Sequence, residues 1–149
     1  MAIQFNLQLK GLDEAINKVK EKANKVHDAQ VLGINRVALF FRDNCVKNAR
    51  AGHPEHPNVV SGTLSGSFQV EMDSGEPVKA RVGTDAPYDP FVEFGHSQEP
   101  GRFVPAIGKR LVATKAPAYP FFRPAIVETF DSGDAQKIYS ETIKEEMET

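Results

Sequence analysis

All ten prolines lie between Pro54 and Pro124. Proline fixes φ and lacks the N–H that a helix interior needs, so this placement divides the chain into two helix-permissive ends and a helix-hostile middle. The fold class expected from that division is α+β. The length of 149 residues suits one domain spanning residues 1–149, large enough to bury a substantial core. A formal net charge of −2 lacks the excess of positive charge typical of a nucleic-acid domain. A lone cysteine, Cys45, cannot form an internal disulfide and sits among apolar residues, as a buried small hydrophobe would. Cytoplasmic folding is therefore expected, with no export signal and no membrane span.

The pattern along the chain gives the elements. Ile3, Phe5, Leu7 and Leu9 alternate with polar residues, which predicts a half-buried first strand. From Leu12 the period changes: Ile16, Val19, Ala23 and Val26 recur at helical spacing, and Ile34, Val37, Ala38, Phe41, Cys45 and Ala49 continue the stripe. This predicts one long helix broken near Asp28 to Gly33, or two helices. A second strand is expected over Ser67 to Met72. The turn Asp73 to Pro77 and the alternation of Val78, Ala80 and Val82 then make it half of an antiparallel hairpin, the start of a central sheet. Gly95 to Ala118 is too long for a structureless loop in a compact domain, and a projecting hairpin with arms Arg102 to Val104 and Arg110 to Thr114 accounts for it. Pro124 suits the first turn of a C-terminal helix whose Ile126, Val127 and Phe130 point inward, with a break at Asp131-Ser132-Gly133.

The chemical possibilities are few. His53-Pro54-Glu55-His56, with His96 elsewhere, has zinc-binding residue types, but Pro54 and the following Pro57 prevent the one-turn histidine spacing of a metalloprotease helix. Asp85, Asp89 and Glu93 place three carboxylates within nine residues, the raw material of a metal-dependent nuclease or hydrolase. The competing structural account has Glu93 alternating out of a strand or satisfying a nearby backbone group. No catalytic nucleophile, metal ligand set or cofactor motif is assigned. Charge is uneven: residues 97–123 carry Arg102, Lys109, Arg110, Lys115 and Arg123 against Glu99 alone, whereas residues 124–149 carry seven acids and two bases. Arg102, Lys109, Arg110 and Lys115 are thus candidate assembly contacts, since opposite charges on different faces suit head-to-tail contacts between copies; simple solvation is the other account.

Three segments occur in order: Val60 to Phe68 with Gly62 and Leu64; Tyr88-Asp89-Pro90-Phe91-Val92-Glu93-Phe94-Gly95; and Pro120-Phe121-Phe122-Arg123-Pro124-Ala125. Together, behind a long N-terminal helix, they resemble the tail-component family of lambdoid tailed bacteriophages, also described as neck or head-tail joining proteins. Asp89-Pro90 adds a residue to the second segment relative to the family pattern, and His96 stands where threonine is common. Physically the segments read as scaffold: Gly62 and Gly95 allow backbone angles closed to other residues, while Phe91, Phe94, Phe121 and Phe122 supply core mass. The resemblance implies a non-enzymatic α+β subunit of the virion tail or neck, made in the bacterial host cytoplasm and assembling as a ring. Its implied partners are copies of itself and neighbouring head-tail connector or tail proteins. It needs no cofactor or membrane, and meets nucleic acid only by proximity to the DNA channel. A small metal-dependent hydrolase or nuclease and a nucleic-acid-binding module are the alternatives.

Overall fold

A computed structural model describes residues 11–51, 63–105 and 108–149. The expected first strand, the loop with His53 and His56, and Gly62 lie outside them. The fold is α+β, with a long N-terminal helix, antiparallel strand pairs and a C-terminal helix. Helix α1, Leu12–Ala51, is a single unbroken element of 40 residues, about 60 Å long. The expected break near Asp28 to Gly33 is absent, because packing of the body half of α1 outweighs the modest helix penalty of Gly33. Asp13 and Glu14 in the first turn and Arg50 in the last complement the helix dipole.

Every residue from 12 to 26 is exposed, whereas Ala29, Gly33, Ala38, Asn44, Cys45 and Ala49 are buried in the second half. The first half of α1 is thus a stem, and the second is the spine of the body. Against the spine lies a hairpin of β1, Phe68–Asp73, and β2, Lys79–Thr84, in the register Phe68↔Thr84 through Asp73↔Lys79. Phe68, Val70 and Met72 share a face with Thr84, Val82 and Ala80, and it is this face that is withdrawn from solvent.

The short helix α2, Thr63–Gly66, precedes β1; α3, Asp89–Phe94, follows β2. Next comes an arm built from β3, His96–Ser97, β4, Phe103–Val104, β5, Lys109–Arg110, and β6, Lys115–Ala116. Strand β3 pairs with β6 and β4 with β5, and Gly101 N–H to Leu111 O and Leu111 N–H to Arg102 O, at 2.7 and 2.9 Å, join the two pairs. The projecting hairpin is present, with arms reaching further down than expected. The single central sheet is not: the described strands form three separate two-stranded pairs, because the bonded rungs of the arm pair only with each other.

Helix α4, Phe122–Ile126, runs into a π-helical turn, Val127–Asp131, and after Ser132 and Gly133 helix α5, Asp134–Glu148, closes the fold. The π turn changes which residues face in. Ser132 N–H reaches back five residues to Val127 O at 3.1 Å, and the buried positions are Ala125 and Thr129. Ile126, Val127 and Phe130 are therefore exposed at 44 to 54%, contrary to the inward face expected from ordinary helical spacing. The interruption at Asp131 to Gly133 occurs where it was expected, with Gly133 at φ +86°.

The core joins α1, β1 and α4 through Cys45, Ala49, Phe68, Phe121 and Ala125. Phe68 meets the Phe121 ring edge-on at 5.6 Å and the Phe122 ring at 5.7 Å. Helix α5 is held to the spine by close approach and polar contacts. A Cβ on Gly33 would stand 2.8 Å from Tyr139 Cδ2, and Arg36 donates to Thr142 Oγ1 at 3.1 Å and Glu145 Oε2 at 2.9 Å. Gly33→Leu should therefore force the Tyr139 ring off α1, costing about 1 to 3 kcal/mol as overpacking does. Thermal unfolding followed by circular dichroism checks this; an unchanged midpoint would show that α5 does not pack so closely.

Candidate functional site

The motif residues converge on one joint. Asp89-Pro90 opens α3, with the proline in its first turn. The expectation that Glu93 alternates out of a strand is thereby corrected, since residues 89–94 are helical. In a helix Val92 and Glu93 face the body while Phe91 and Phe94 face out, at 54 and 63% exposure, so the latter two do not supply core mass.

Glu93 is only 4% exposed. Its Oε2 accepts the backbone N–H groups of Phe121 at 2.7 Å and Phe122 at 3.0 Å, and its Oε1 that of Arg123 at 3.1 Å. These are donors that the start of a helix cannot satisfy internally, and a carboxylate there is favoured by both hydrogen bonding and the helix dipole. The alternative reading of Glu93, that it satisfies nearby backbone, is the one found. Around it, Tyr119 N–H donates to Val92 O at 2.7 Å, and the Arg123 guanidinium lies 5.0 Å over the Phe94 ring. Gly95 has φ +73°, and a Cβ there would come within 2.6 Å of Ala116 O, so only glycine fits between α3 and the base of the arm. Pro120 and Pro124 bracket the capped turn, half-buried Leu64 packs against the core that contains Phe121, and Tyr88 is exposed.

The spine adds a second set of ties to the same segment. Asn48 Nδ2 reaches Phe121 O at 3.4 Å and Glu128 Oε2 at 3.3 Å, Lys47 Nζ lies 2.8 Å from Glu128, and buried Asn44 donates to Thr129 Oγ1 at 3.0 Å. The Lys47 hydrogen bond, helped by Asn48, holds the Glu128 carboxyl below the usual carboxylate range. Burial, and then the nearby Glu93 charge, push the Cys45 thiol up to about 12, which keeps it an inert thiol.

The chemical candidates do not come together. Asp85 accepts from Gln69 Nε2, Asp89 begins α3, and both Glu93 oxygens are taken by backbone. His96 stacks edge-on against Phe91 at 5.4 Å. Among the described residues, no group of three or more His, Cys, Asp and Glu side chains is placed to hold a metal ion.

Two surfaces remain. Arg102, Lys109, Arg110 and Lys115 are all exposed on the arm, and Arg102, Lys109 and Lys115 make no ion pair among the described residues. Arg110 is partly structural: its Nη1 donates to Gly101 O at 2.7 Å and its guanidinium lies 6.0 Å over Phe103. On the body, an open groove of about 580 Å³ runs between α1, β2 and α5. Ile34, Val37 and Phe41 form its floor, Val82, Phe130 and Tyr139 its walls, and Lys79 is the one charged residue among the described residues lining it. Such a groove suits apolar contact and offers no convergent polar groups for catalysis. No family model, characterised protein or solved structure that was compared matches the chain.

Proposed function

We propose that the chain is a non-enzymatic structural subunit of a tailed-phage virion, a tail-completion or head-tail junction component that works as a ring oligomer. The observation that carries this reading is the Glu93 joint. The residues through which the chain resembles the phage tail-component family, Val92 to Gly95 and Pro120 to Ala125, meet in space, and their buried carboxylate is spent on backbone N–H groups. A carboxylate so occupied is unavailable as an acid, base or metal ligand, which favours architecture over chemistry. The exposed basic arm and the apolar groove supply surfaces for neighbouring copies and for connector or tail proteins. No described helix is long and apolar enough to cross a membrane.

Quantitative mass spectrometry of gradient-purified tailed particles tests the proposal. The chain is expected at several copies per particle; its confinement to the soluble lysate would contradict the assignment.

The arm makes a narrower prediction. Changing Arg102, Lys109, Arg110 and Lys115 together to Ser removes exposed charges, each worth under about 0.5 kcal/mol to folding. Loss of the Arg110 bond to Gly101 adds about 1 kcal/mol. Melting should thus shift by only a few degrees while the yield of infectious particles falls sharply, because complementary charges govern association. Undiminished yield would remove the arm from the assembly contacts.

A further inference from the structure

We infer that His27 and Glu76 form a proton-operated latch that fixes the tip of the β1–β2 hairpin to α1 at the point where the stem leaves the body. His27 is the first residue along α1 that is not fully exposed. Its Nδ1 lies 3.2 Å from Oε1 of Glu76, which stands in the turn between the two strands. Among the described residues, this nitrogen is also the one buried side-chain polar atom that makes no hydrogen bond. A buried nitrogen within ion-pair distance of a carboxylate, yet not bonded to it, is completed by a proton.

A neutral imidazole has one N–H for its two nitrogens, whereas an imidazolium has two. Protonation therefore gives Nδ1 a hydrogen to donate and sets a positive ring against a negative carboxylate. Little motion is needed, since the Glu76 side chain is 82% exposed and can turn toward the ring. The His27 side chain, 32% exposed, keeps water on one side, which limits the cost of its charge. The latched hairpin thus holds the proton more tightly than a hairpin swung away from α1. The latch closes at mildly acidic pH and relaxes as pH rises through about 6.5, where an imidazole ordinarily gives up its proton. Val78 and Ala80, just beyond the latch, line the apolar groove, so the latch also steadies that wall.

The surrounding charges leave this pair to itself. Ala23, Asn24, Gln30 and Val31, one turn from His27 along α1, are uncharged. Asp28 points about 100° away around the helix, and Lys20 stands two turns before His27, about 10 Å along the axis. Helix α5, with its Arg36–Glu145 pair, packs on the side of Gly33 and Arg36, about 120° to 180° around α1 from His27. In the hairpin, Asp73 and Lys79 face each other across the last rung. Glu76 is the charged group at the ring.

Amide hydrogen exchange of the full-length chain, followed by NMR at about pH 5.5 and about pH 7.5, tests the latch, each rate being divided by its intrinsic value so that the direct effect of pH cancels. Protection around the Met72–Ala80 and Asp73–Lys79 rungs should be about two- to five-fold lower at the higher pH, as loss of a largely exposed ion pair allows, while the Phe68–Thr84 end stays unchanged. The loss should follow the titration of the His27 ring itself, read from its imidazole 15N shifts apart from those of His53, His56 and His96. Glu76→Gln alters a side chain in solvent, so the fold should hold while the difference between the two pH values disappears, and His27→Gln should abolish it as well. Equal protection of the native tip at both pH values would overturn the latch. So would a difference that survives Glu76→Gln or that tracks another group. The reading of the chain as a virion subunit plays no part in either outcome.

Discussion

Glu93→Ala is expected to destabilise the protein by about 3 to 5 kcal/mol, much of what holds a domain of this size together. Three backbone N–H groups lose their acceptor at once, and each buried unsatisfied donor costs about 1 to 3 kcal/mol. The total is kept below the upper sum because Arg123, at the exposed end of the joint, can recruit water. Glu93→Gln should recover part of the loss, since its amide oxygen can accept from one or two of the donors while its NH2 faces the rest. Denaturant titrations of the three proteins check the order native, Gln, Ala, with the melting midpoint of the Ala variant lower by roughly 10 °C. An Ala variant within about 0.5 kcal/mol of native would show that the carboxylate does not organise the start of α4.

Phe121→Ala carries the second large effect. Phe121 is fully buried and touches the aromatic rings of Phe68 and Phe122 at 5.6 and 4.8 Å. Removing a ring from such a site costs about 3 to 5 kcal/mol, through lost transfer free energy and the cavity left between α1, β1 and α4. Phe94→Ala, at a position 63% exposed, should cost no more than about 1 kcal/mol, chiefly the cation-π contact with Arg123. The contrast between the two substitutions, measured by thermal unfolding, checks the packing directly. Equal losses at the two positions would mean that the capped turn does not seat Phe121 against the spine.

These two residues also show how far the sequence could be read. The proline distribution predicted the α+β division because each proline restricts its own backbone wherever it stands, and period-two alternation predicted the β1–β2 hairpin because it is a property of a few neighbouring residues. The arm was legible from glycine and proline spacing. Phe91, Phe94, Phe121 and Phe122 looked alike in sequence, since aromatic mass does not say which side of a six-residue helix faces the body. The inward face assigned to Ile126, Val127 and Phe130 assumed ordinary helical spacing, and the π turn moved burial to Ala125 and Thr129. For α1 the stripe of apolar residues was visible throughout, but periodicity marks a face and not how much of its length is covered. Glu93 was half legible: its burial could be framed as satisfaction of a backbone group, yet the partner lies 28 to 30 residues away. Only the fold brings it there.

The central claim, that this chain is a virion subunit, is tested most directly by an electron cryomicroscopy reconstruction of the intact particle at side-chain resolution. A ring is expected at the neck or tail end, in which each copy shows the 40-residue helix α1 and its basic arm turned toward a neighbouring protein. A neck and tail fully built from other chains, with no density for α1 and its capped α4, would contradict it.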